Sequence, residues 1–243
     1  MCYHISNSKP TPYKMEDQYG AKFDLPDIYE PFYHLNGFSH GHAYGILQED
    51  PYVIEPMRWG IVEDYLIDNE NFDLENHWRK LGGKSLNTQC EFVFDNNRTR
   101  NAIWDNRCII PVTGFYESRH VNGTPYPYFI KPKNGDFLSL LGCYTEYDDG
   151  MFLFTILTTV ANKKMSYIHN TKKRMPIMGH PNLINKWLSD NLKENDIKEI
   201  MFTDTNQELE YYTVKKEVNN TRVNTNNQSA FEKVIYPELN SLF

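Results

Sequence analysis

The chain has 243 residues, 40% hydrophobic and 14% aromatic, which suits one large domain with a sizeable core. It carries 25 basic and 32 acidic residues, a net charge of −7, which argues against a partner bound by overall charge alone. No apolar run reaches the roughly 18 residues of a membrane span, and residues 1–20 lack the apolar stretch of a signal peptide, so a soluble, cytoplasmic protein is predicted.

The first element is Met1-Cys2. Removal of Met1 leaves an α-amine and a thiol on adjacent carbons. Such an aminothiol condenses with an aldehyde to an imine, and the thiol then closes a thiazolidine ring. Unperturbed, the amine titrates near ~8 and the thiol near ~8.5, so part of each is nucleophilic at neutral pH. Cys90, Cys108 and Cys143 are widely spaced and form no C-x-x-C pair, which argues against structural zinc and against a disulfide framework. His40-Gly-His42 lacks a third ligand at suitable spacing, so no metal and no cofactor are predicted.

Residues 6–31 are polar, with a short helix over 14–19 and then loop. Asn36-Gly37 marks a turn, and 52–55 and 56–62 read as two strands. A helix is predicted over 71–80, and a helical stretch over 97–104. Residues 107–117 read as one buried strand bent or bulged at Gly114. Three β-type runs follow, 126–131, 136–144 and 151–159, separated by the hairpin turns Lys133-Asn-Gly135 and Asp148-Asp-Gly150. A helix over 161–168, a strand over 174–178, helices over 181–192 and 195–202, and a strand over 209–214 complete the pattern. The Asn/Thr-rich segment 219–229 reads as loop. The expectation is a single β-rich α+β domain of mostly antiparallel, curved sheets with flanking helices over 1–218, followed by a tail over 219–243.

Several side chains invite chemistry, and each has a plain alternative. Glu117 follows the apolar Gly114-Phe-Tyr and sits where desolvation raises a carboxylate's pKa, or it is a strand-end carboxylate in water. His169 suits proton shuttling, or it is a surface histidine. Asn87 is a turn former or a positioning group. The cations Lys163, Lys164, Lys172, Lys173 and Arg174 gather along one short segment, which leaves room for a local basic groove on an acidic chain.

Together these residues resemble a known family. Met1-Cys2, Arg58-Trp-Gly-Ile61, Leu86-Asn-Thr-Gln-Cys-Glu91, Arg107-Cys-Ile-Ile-Pro-Val-Thr-Gly-Phe-Tyr-Glu117, Thr158-Thr159 and Ile168-His-Asn-Thr-Lys-Lys-Arg-Met-Pro176 follow, in order, the pattern of the SRAP family of SOS-response-associated peptidases, or abasic-site processing proteins. The resemblance implies a DNA damage response protein that crosslinks through Cys2 to abasic sites in single-stranded DNA. It assigns proton transfer to Glu117 and His169 and positioning to Asn87. It also implies self-removal of Met1, a possible DNA lyase activity, and a monomer that meets the bacterial nucleoid in the cytoplasm. DNA contacts are expected from His4, Trp59, Lys163, Lys164, Lys172, Lys173 and Arg174.

The chain departs from the family in three places. Tyr3-His4 stands where many relatives have Gly-Arg, Thr88-Gln89 where they have Ala-Arg, and Ile61-Val-Glu-Asp64 lacks their Pro and Trp residues. The residues also leave open an N-terminal-nucleophile hydrolase or cysteine peptidase, and a DNA-binding member without chemistry.

Overall fold

The computed structural model describes residues 2–148, 150–203, 207–220 and 222–240; Met1, Asp149 of the 148–150 turn, and positions 204–206, 221 and 241–243 lie outside them. The elements in the first half are β1 (His4–Asn7), α1 (Tyr13–Tyr19), β2 (Lys22–Phe23), β3 (Phe32–Asn36), β4 (His42–Leu47), β5 (Val53–Trp59), α2 (Asp64–Ile67), α3 (Leu74–Leu81), β6 (Asn87–Gln89) and α4 (Ala102–Asp105). They continue with β7 (Arg107–Val112), β8 (Gly114–Val121), β9 (Thr124–Pro132), β10 (Leu138–Tyr147), β11 (Met151–Val160), α5 (Lys163–Ile168), β12 (Arg174–Pro176), α6 (Ile184–Trp187), α7 (Glu194–Phe202), β13 (Leu209–Thr213) and α8 (Pro237–Asn240).

One sheet closes on itself. Strands β5, β4, β7, β10 and β11 pair in that order, and β11 returns to β5 in parallel through Phe152↔Met57 to Phe154↔Trp59. Such closure leaves no exposed edge around the ring. Beyond the β5 contact, β11 pairs in parallel with β6, which sets Asn87 opposite Ile156. The second sheet is antiparallel throughout, in the order β13-β9-β8-β1-β3. Its inner face, including Ile5, Phe115 and Ile130, merges with the barrel core. Its outer face, with Tyr116 and Phe129, is covered by Val214, Val218 and Ala230 from the last part of the chain.

The architecture agrees with the expected single α+β domain of mostly antiparallel sheet, with several changes in detail. The run over 107–117 is not one bent strand: β7 belongs to the barrel and β8 to the second sheet. The chain turns the corner at Thr113-Gly114, where Thr113 N–H and Oγ1 both donate to the Ser6 carbonyl. A Cβ on Gly114 would fall 2.5 Å from the Phe129 ring and 2.6 Å from the Ile130 carbonyl, so the corner closes only around hydrogen. The Lys133-Asn-Gly135 turn joins no hairpin, because β9 and β10 lie in different sheets.

Within residues 52–62 there is one strand, β5 (Val53–Trp59), rather than two. Pro56 fits because β5's pairing on that side passes from β2 at residues 53–54 to β11 at 57–59, leaving the proline between partners. Over 97–104 only the last residues enter α4, and 181–192 breaks into a 3₁₀ turn and the short α6. β1 escapes a hydropathy reading because His-Ile-Ser-Asn is mostly polar, yet Ile5, Ser6 and Asn7 are fully buried. No helix among the described residues is long and apolar enough to cross a membrane.

Replacing Gly114 by alanine should lower stability by about 1–3 kcal/mol through overpacking. Thermal unfolding measures this; an unchanged melting temperature would contradict the tight corner.

Candidate active site

The junction between barrel and second sheet gathers Cys2, Asn87, Glu117 and His169 from four separate segments. Cys2 precedes β1 and is fully buried. β1 lies antiparallel to β8 with His4 opposite Tyr116, which brings the chain start alongside Glu117. Asn87 opens β6 and donates from Nδ2 to the Cys2 carbonyl at 2.8 Å, while its Oδ1 is buried without a hydrogen-bond partner. His169 caps the C-terminal end of α5, a helix begun by the Asn162 side chain accepting from Met165 N–H. Its Nδ1 stands 3.8 Å from Glu117 Oε2 and 2.8 Å from the Arg174 carbonyl. A carbonyl only accepts, so the proton resides on Nδ1 and Nε2 is the basic nitrogen.

The electrostatics follow from burial. Burial pushes Glu117 up to about 7, which poises it between acid and base at neutral pH. Burial, and then the charge of Glu117, push the Cys2 thiol well above its ordinary range, so it rests protonated. Burial holds His169 down to about 4, leaving a neutral imidazole. The site thus contains a protonated nucleophile, a carboxyl able to exchange protons, and a neutral base.

Two hydrogen-bonded loops hold this constellation. Lys173 N–H closes onto the His169 carbonyl at 2.9 Å, tying off the segment between them. Asn170 then grips β8 from both sides: His120 N–H donates to its Oδ1 at 2.9 Å, and its Nδ2 donates to the His120 carbonyl at 2.8 Å. This clamp fixes the His169 loop against the strand that carries Glu117. No spacing or composition signal marks Asn170 for the role, because its partner lies 50 residues away in sequence.

The expected DNA contacts scatter. Lys172 and Lys173 are exposed, and Lys172 lies close enough to His169 to lower its pKa. Arg174 is committed: it donates twice to Glu91, at 2.6 and 2.8 Å, and once to the Thr158 carbonyl at 2.6 Å. Lys163 and Lys164 line a different groove, with Val160 and Phe202.

Two expectations are corrected. Trp59 is fully buried, stacked on Phe154, and donates from Nε1 to the Leu86 carbonyl at 2.8 Å, so it offers no face to a base and instead holds the segment leading to Asn87. His4 points its Nδ1 at His34 Nε2, 2.9 Å away, and burial holds it neutral, down to about 3, so it is no cation for a phosphate. Among the described residues no group of three or more His, Cys, Asp or Glu side chains is arranged to hold a metal ion.

The chain as a whole has known relatives. The family described as SOS response associated peptidase (SRAP) matches residues 1–221. Abasic site processing protein YoqW of Bacillus subtilis is 26% identical over 175 residues, covering 70% of this chain and 72% of that protein. Abasic site processing protein HMCES of Pongo abelii is 24% identical over 239 residues, covering 82% of this chain and 65% of that one. A crystal structure of a protein from Bacteroides thetaiotaomicron superposes with a TM-score of 0.80 at 26% identity, covering 96% of this chain and all of the other.

Replacing Asn170 by alanine leaves the His120 peptide without two partners and should cost about 1–3 kcal/mol in chemical denaturation. Stability equal to that of the parent would show that the clamp does not hold the loop.

Proposed function

The chain belongs to the SOS response associated peptidase family, and on that premise we propose that it captures abasic sites in single-stranded DNA covalently through Cys2. The relatives named as abasic site processing proteins supply the substrate class. The observation that carries the reading is a buried Cys2 beside a carboxyl poised near neutrality, with Asn87 on the Cys2 carbonyl.

Hydrolysis of the Met1–Cys2 peptide bond exposes an amine on the residue that bears the thiol. His169, neutral at pH 7, moves a proton on the closed hemiacetal so that the sugar opens to its aldehyde. The amine adds to the aldehyde carbon and one water leaves as the imine forms. Sulfur then adds to the imine carbon, its proton passes by way of Glu117 to the nitrogen, and the thiazolidine closes. Asn87 holds the Cys2 peptide in register, and its unpaired Oδ1 is suited to accept from the sugar or the amine. Lys172 and Lys173, both exposed, meet phosphates flanking the lesion in this reading.

A thiolate-first cysteine peptidase fits less well. Catalytic thiols of that kind have depressed pKa values, whereas burial and Glu117 push this one up. The amine-first route requires no resting thiolate. In this reading Met1 removal is a self-processing reaction of the same site, and strand cleavage from the imine is a side reaction. The protein acts as a monomer within the DNA damage response, reaching the nucleoid from the cytoplasm. Residues 1–218 are the working domain, and the segment from 219 covers its second sheet.

Intact mass before and after incubation with an abasic single-stranded oligonucleotide tests this. The expected result is a protein lacking Met1 and an adduct equal to protein plus oligonucleotide minus one water, absent from Cys2→Ala. A processed protein that forms no adduct, or an equal adduct from Cys2→Ala, contradicts it.

A further inference from the structure

The Cys2 thiol donates to the His4 carbonyl, with sulfur 3.8 Å from the oxygen. The residue that supplies this carbonyl is also held through its side chain. His4 Nδ1 stands 2.9 Å from His34 Nε2, and the two rings stack with centroids 5.0 Å apart. His34 Nδ1 in turn stands 2.5 Å from the Thr225 hydroxyl. Cys2, His4, His34 and Thr225 form one hydrogen-bonded row from the nucleophile to a segment late in the chain. The match to the family ends at residue 221, so Thr225 lies beyond it.

The far end of the row has a chemical requirement. Burial holds His34 down to about 4, as it does His4 to about 3, so both rings are neutral. A neutral imidazole has one donor and one acceptor nitrogen. Whichever ring supplies the proton between His4 and His34, that choice decides whether His34 Nδ1 must donate or accept. A hydroxyl satisfies it in either case; without one, a buried nitrogen is left unpaired. Asn226 ties the same segment to the backbone, its Oδ1 accepting from Tyr33 N–H at 2.8 Å and from His34 N–H at 3.3 Å. These residues lie on β3, the end strand of the second sheet, whose other side pairs with β1.

We propose that Thr225 is a positioning residue for Cys2, acting through His34 and His4 to set the thiol for ring closure. The proposal rests on the reading that Cys2 captures abasic sites. It gives the segment from 219 a part in that reaction beyond covering the second sheet. Imine formation uses the amine alone. In ring closure the C–S bond forms, the C=N electron pair moves to nitrogen, and the thiol proton reaches that nitrogen by way of Glu117. This step needs sulfur within reach of one carbon, and the row fixes where sulfur starts.

The test follows capture of an abasic single-stranded oligonucleotide by the full-length protein, with samples quenched with and without sodium borohydride. Borohydride delivers hydride to the imine carbon and leaves the thiazolidine unreacted, so intact mass separates the two adducts by two hydrogens. Thr225→Val keeps the side-chain shape and removes the hydroxyl. It should raise the fraction trapped as imine at early times about fivefold, the worth of one hydrogen bond, with imine formation itself at the parental rate. Thr225→Ser should match the parent. His34→Phe, which keeps the ring and removes both nitrogens, should behave as Thr225→Val.

A parental imine fraction in Thr225→Val and His34→Phe would overturn the proposal. So would slower capture overall with that fraction unchanged, which marks a structural role only. An adduct from the parent with indifferent variants rejects the positioning role alone. No adduct from the parent rejects capture by Cys2, and with it the role of Thr225.

Discussion

The structure depends on keeping one carboxyl, Glu117, out of water beside the start of the chain. Burying a carboxylate is expensive unless it is neutralised or bonded, and the fold meets this by pushing Glu117 up to about 7. Everything around the site serves that enclosure. β8 leaves the barrel at the tight Gly114 corner, so that Phe115 turns into the core while Glu117 faces the junction. β6 runs along β11 and delivers Asn87 to the Cys2 peptide. The α5 loop, clamped by Asn170, closes over the third side with His169. The same low-polarity environment keeps the Cys2 thiol protonated and the His169 imidazole neutral, so one physical cause sets all three protonation states.

Much of this was legible in the sequence, though unevenly. The long strands β9, β10 and β11 announce themselves by apolar runs between glycine turns. The helices α1, α3, α5 and α7 largely fall within stretches that read as helical. Strands buried through pairing rather than hydropathy did not: β1 is mostly polar, and β6 is a three-residue stretch paired with β11. The corner at Gly114 reads as a bend, but the transfer of β8 to another sheet depends on contacts with Phe129 and Ile130 that no local pattern contains. For the site, it was the resemblance to the family's motifs, not the residues taken singly, that singled out Cys2, Asn87, Glu117 and His169. Side-chain direction was out of reach, which is why Trp59 and His4, both plausible DNA contacts by type, turn inward to a backbone carbonyl and to His34.

Charge shows the same distinction between inventory and arrangement. The chain is acidic overall, and several of its cations are spent internally. Arg107 is fully buried and donates to backbone carbonyls of Ile103, Trp104, Trp187 and Ser189, tying α4 and α6 to the barrel. Arg174 is held by Glu91, and Arg119 by the Tyr167 carbonyl and ring. Lysines that remain exposed, such as Lys84, Lys172 and Lys173, carry the positive charge available to a strand of DNA. A few well-placed charges on an anionic surface give local binding whose salt dependence grows with the number of phosphates they meet.

The most direct test of the account is the titration of Glu117 itself, followed by the carboxyl carbon signal in labelled protein and assigned by its loss in Glu117→Gln. The account predicts a midpoint near 7. Because the folded value lies above the unfolded one near 4.5, stability linked to this group is full below 4.5 and is lost as pH rises through 7. The parent should therefore lose stability relative to Glu117→Gln across that interval. A midpoint below 5, with parallel stability curves for the two proteins, would show a solvated carboxylate and remove the proton carrier on which the site is built.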